Sequence, residues 1–195
     1  MKKTILLMPI LMFGLAACGP TGGGDKPKPT GDPLVVIDTQ LSVVDPTKTS
    51  GYAKYNGDHV IGDYTVTTSN ILVQDYDKSN PKVPIVQAKK IDGTITINSI
   101  KVTKVVVDFV STYDLSDNYI TATFNSGEKI ALTDNEITNA NANKVKIGTK
   151  VISDTESYDI NRITYTLNIN AVSAGTLVLS GGEKGAVQFS AISIY

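Results

Sequence analysis

RITYTLNINAVSAGTLVLSGGEKGAVQFSAISIY, residues 162–195, is the stretch from which the fold is read. Ile163, Tyr165, Leu167 and Ile169 alternate with Thr164, Thr166 and Asn168, which puts the apolar side chains on one face of an extended chain. Residues 175–182 and 186–195 hold two further β-rich runs, parted by Gly181-Gly182-Glu183-Lys184-Gly185, whose glycines suit a turn. The stretch therefore reads as a strand, a hairpin strand and a closing strand.

Working outward, the same period recurs. Residues 119–124 alternate cleanly, and Asn125-Ser126-Gly127-Glu128 turns them into 129–132, a hairpin signal. Val105-Val106-Val107, inside 102–110, indicates a strand covered on both faces. Comparable runs occupy 34–44, 64–74, 84–90, 93–98 and 144–152, with Gly, Asn, Asp, Pro and Ser clusters between them. No window of a dozen residues carries a helical apolar stripe; Thr133 followed by Glu136 predicts one short capped turn of helix. About ten short strands predict an all-β domain over 34–195, an antiparallel sandwich of two sheets. A chain of that size buries enough surface to need no staple.

Charge narrows the function classes. Of 18 basic side chains, Lys2 and Lys3 lie in a leader-like segment, which leaves 16 against 19 acidic ones, and no basic field exists to attract nucleic acid.

The order of strands in VPIVQAKKIDGTITINSIKVTKVVVDFVS (residues 83–111) and in the closing stretch resembles the jelly rolls of galactose-binding-like domains and carbohydrate-binding modules. That resemblance implies a jelly-roll sandwich, glycan capture and often one structural calcium. Several such modules place an Asp before the final aromatic strand, where this chain has Ser190 after Phe189, so their sugar site does not carry over.

The amino-terminal part is a different kind of sequence. Met1-Lys2-Lys3 precedes an apolar run over residues 4–14 that is too short to span a bilayer and has the layout of a secretory leader. Leu15-Ala16-Ala17-Cys18 resembles a bacterial lipobox. The resemblance implies cleavage before Cys18, the only cysteine, and diacylglycerol on its sulfur, with a further acyl chain on the new amino terminus. Residues 1–17 are thus expected to be a signal peptide, and residues 18–33 a lipidated Gly/Pro-rich tether reaching roughly 20–25 Å. This places the protein on the extracytoplasmic face of a bacterial cell membrane, with the membrane as one partner.

Candidate chemistry is sparse. His59 is the only histidine and sits in a turn entering a strand, so nucleophilic catalysis and zinc binding lack their residues. No enzyme and no catalytic residue is expected. Asp75 and Asp77 begin a loop like an EF-hand, but Asn80 and Val86 replace its required Gly and Glu; Asp114 and Asp117 form a second acidic turn. These four are candidate calcium ligands. With no tryptophan, sugar stacking falls to tyrosine, and Tyr52, Tyr55, Tyr76 and Tyr113 are the candidate ligand-binding residues in expected exposed loops. Two functions follow: a tethered, non-catalytic module binding carbohydrate, or a structural lipoprotein that meets another envelope protein. Convergence of the four tyrosines on one concavity is what separates them.

Overall fold

A computed structural model describes residues 31–40 and 52–195. The signal peptide, Cys18, most of the tether and the end of the 34–44 run lie outside the described residues. In chain order the elements are β1 (Val35–Asp38), β2 (Tyr52–Lys54), β3 (Gly57–Ile61), β4 (Tyr64–Ser69), β5 (Ile71–Asp75), β6 (Ser79–Asn80) and β7 (Pro84–Ala88). There follow β8 (Thr94–Ile100), β9 (Lys104–Ser111), β10 (Thr121–Phe124), α1 (Asp134–Ala142), β11 (Val145–Val151), β12 (Ser157–Asn168), β13 (Gly175–Ser180) and β14 (Val187–Ile194).

The strands form two antiparallel sheets packed as a sandwich. The larger runs β2-β5-β7-β14-β9-β12-β11-β6, with β1 also on β14; the smaller runs β10-β13-β8-β4-β3. Successive strands repeatedly change sheet, as in a jelly roll. The run 64–74 breaks at Asn70, which takes a left-handed φ of 52°, so β4 stays in one sheet and β5 enters the other. The closing stretch departs from the hairpin reading in the same way. β12 and β14 belong to the large sheet and β13 to the small one, because period-two alternation marks a strand without naming its partner. The expected 119–132 hairpin shrinks to one bridge between Ala122 and Ile130. Beyond it, Leu132 donates its N–H to the Tyr119 hydroxyl at 3.0 Å instead of pairing with a strand.

Between the sheets lies a continuous core of Val, Ile, Leu and aromatic side chains, including Phe109, Phe189, Ile97, Leu177 and Ile192. A second cluster of Tyr76, Val83, Ile85, Val110 and Ile160 explains itself through topology. β6 lies in the connection from β5 to β7, yet pairs with β11 through Thr149 opposite Asn80 and Lys150 opposite Ser79. In a flat sheet β7 and β11 would be four strand steps, about 19 Å, apart. An eight-residue excursion that goes out and returns reaches only about 13 Å. The large sheet must therefore curl, and the second cluster fills the curl. Gly148 permits it: a Cβ there would lie 2.6 Å from Val83 Cγ2.

The capped turn expected at Thr133 is present and longer than one turn. Thr133 N–H donates to Glu136 Oε2 at 2.8 Å while Glu136 N–H donates to Thr133 Oγ1 at 3.4 Å, a capping box opening the nine-residue α1. No helix among the described residues is long and apolar enough to cross a membrane.

Candidate functional site: a cleft beside strand β10

The three candidate tyrosines whose side chains are described, Tyr55, Tyr76 and Tyr113, do not share one surface. Tyr55 is 3% exposed in the main core, its ring stacked on His59 at 3.7 Å between centroids, which corrects the expectation that residues 51–56 form an exposed loop. Tyr76 is 8% exposed and packs in the curl, with Lys150 Nζ 5.7 Å from its ring centroid. Tyr113 is 78% exposed. The backbone of Tyr52 lies in β2, opposite Gln74, and its side chain is outside the described residues. Tyr55, Tyr76 and Tyr113 each lie just past the end of a strand, where strand alternation no longer fixes which way a side chain faces.

Each of the four candidate calcium carboxylates meets a lysine instead. Asp75 pairs with Lys82 at 3.0 Å, Asp77 with Lys150 at 3.8 Å, Asp114 with Lys144 at 2.5 Å, and Asp117 with Lys184. Calcium takes six to eight oxygens, and the described residues contain no group of three or more His, Cys, Asp or Glu side chains.

Among the described residues His59 meets Thr68 and Tyr55. Its Nε2 lies 3.1 Å from Thr68 Oγ1, and Thr68 donates to the Tyr55 carbonyl. Burial lowers the imidazole pKa, and the nearby Asp58 carboxylate offsets this in part.

A shallow concavity of about 360 Å³ is lined by Asp75, Tyr76 and Asp77, and a larger one lies where sequence reasoning placed only Asp117. A cleft of about 560 Å³ opens beside β10. Thr121 and Thr123 of β10 and Ser180 of β13 line it from the small sheet, and Tyr119, Leu132 and Ile137 supply apolar lining. Tyr119 is fixed there: its ring meets Tyr165 edge-on at 5.8 Å, and its hydroxyl accepts from Leu132 N and donates to Leu132 O at 3.4 Å. One wall is nearly bare backbone, Gly181-Gly182, and the reason is a close approach. A Cβ on Gly182 would collide with Asn118 Oδ1, which already accepts the Gly185 N–H at 3.0 Å.

Two ion pairs cross the mouth. Lys129 Nζ meets Glu183 Oε1 at 2.8 Å, and Lys184 meets Asp117. The hydrogen bonds from the lysines hold Asp117 and Glu183 below the usual carboxylate range and raise Lys129. Sequence reading misses Lys129, Glu183 and Lys184 because the partners stand 54 and 67 residues apart. The one available signal is a charged pair set among the glycines of residues 181–185.

No family model and no curated protein matches the chain. Among solved structures it is similar to an exo-β-1,3-galactanase from Phanerochaete chrysosporium with galactose, at TM-score 0.34 and 13% identity over 70% of this chain. It is also similar to a variant of that enzyme with β-1,3-galactotriose, at TM-score 0.35 and 13% identity over 73% of this chain. The chain spans about 30% of the length of either.

Proposed function

We propose that this protein is a membrane-anchored, extracytoplasmic lipoprotein whose β-sandwich binds carbohydrate without transforming it. The cleft beside β10 carries the reading: threonine and serine hydroxyls, a fixed tyrosine and paired charges at its rim offer donors and acceptors together to a hydroxyl-rich ligand. The lipobox-like Leu15-Ala16-Ala17-Cys18 supports the anchor, since two or more acyl chains hold a protein on a bilayer where one does not. A glycan array tests the binding. The wild-type domain should bind neutral oligosaccharides, and Thr121→Arg, which fills the cleft, should abolish this; binding undiminished in that variant would place the ligand elsewhere. Metabolic labelling with a fatty acid tests the anchor, and Cys18→Ser should lose the label.

One observation favours a second reading, attachment to another envelope protein. Among the described residues β3 is an edge of the small sheet, pairing with β4 alone, and shows Val60 at 80% exposure. Such an edge accepts an added strand. A pull-down that a charged Val60→Lys substitution weakens, while glycan binding is absent, would select this reading.

A further inference from the structure

Glu183 and Lys184 are adjacent in the turn after β13 and reach in opposite directions, Glu183 to Lys129 at 2.8 Å and Lys184 to Asp117. All four line the cleft, together with Asp134 at the start of α1. Both lysines of the lining are therefore already matched by carboxylates, and a third carboxylate remains. An anionic group entering the cleft finds no free ammonium and adds to an existing excess of negative charge. A hydroxyl, which both donates and accepts, meets no such penalty.

Resting on the reading of this cleft as a glycan site, we propose that its two ion pairs determine specificity: they admit neutral sugars and bar chains built of uronic acids. Glu183→Gln frees Lys129, and Asp117→Asn frees Lys184. The double variant turns the lining from three carboxylates against two ammoniums into one against two. All four side chains of the pairs are more than half exposed, so the fold does not depend on them.

Affinity electrophoresis in gels containing polygalacturonate tests this. Wild type should migrate unretarded. The double variant should be retarded at about 50 mM sodium chloride, with at least about tenfold tighter apparent binding, and released at about 500 mM as screening sets in. Asp63→Asn combined with Asp154→Asn makes the same change in net charge at exposed turns outside the cleft lining and should migrate like wild type. The proposal is overturned if wild type is retarded as strongly as the double variant, if the control pair is retarded equally, or if the double variant keeps a native circular dichroism spectrum yet stays unretarded. A wild-type domain that binds no neutral glycan on the array undoes the functional reading instead, so the two failures are distinct.

Discussion

Tyr165 shows what one hydroxyl does in this chain. Fully enclosed, it accepts the Ile120 N–H at 2.9 Å and donates to the Ile120 carbonyl at 3.1 Å, satisfying both backbone groups of a residue that is itself 1% exposed. Burial pushes the phenol well above its usual pKa, so it remains a neutral donor at any physiological pH. Tyr165→Phe should cost about 1–3 kcal/mol in urea denaturation, because two buried backbone groups lose their partner. Tyr113→Phe, at an exposed position, should stay within about 0.5 kcal/mol of wild type. Equal effects from the two substitutions would contradict this account. The sequence distinguishes these tyrosines only in part: Tyr165 alternates as a strand residue, and Tyr113 follows a strand into an acidic turn.

At the level of elements, α1 and the 181–185 turn bracket the cleft. α1 buries only Ala140 and holds few contacts beyond β12, so its capping box matters more than its packing. Thr133→Ala should destabilise the protein by about 1 kcal/mol in equilibrium unfolding, with the first-turn amides losing protection from hydrogen exchange. Glu136 bears on the same cap. Its pKa is lowered by the backbone and side-chain hydrogen bonds from Thr133, so it favours the fold above the ordinary glutamate range and ceases to do so as pH falls below it. The cap is legible in the sequence because Thr133 and Glu136 are three residues apart. The turn opposite is not, because Gly182 is required by Asn118 and Gly181 by the Lys89 backbone, both far away in the chain.

For the whole molecule, the resolved shifts that bear on acid stability share a direction. His59 is lowered by burial, and Glu136 is lowered by the hydrogen bonds from Thr133. For each group the folded state binds protons more weakly than the unfolded chain, so stability is greatest above the unfolded pKa and declines as pH falls. The melting temperature should drop first as pH passes below about 6.5, through His59, and again, more weakly, below about 4.5, through Glu136. His59→Gln should flatten the first step and leave the second. A melting temperature unchanged between about pH 7 and 5 in wild type would contradict it.

The sequence by itself determined the β class and the positions of most strands. Apolar alternation is a local property, written within a few residues of each strand. The tertiary structure decided which strand lies beside which, that the large sheet curls, that Tyr55 and Tyr76 turn inward, and that Lys129, Asp117, Glu183 and Lys184 meet across one cleft. Those outcomes depend on pairings between residues dozens of positions apart, and a period of two carries no information about partners at that distance.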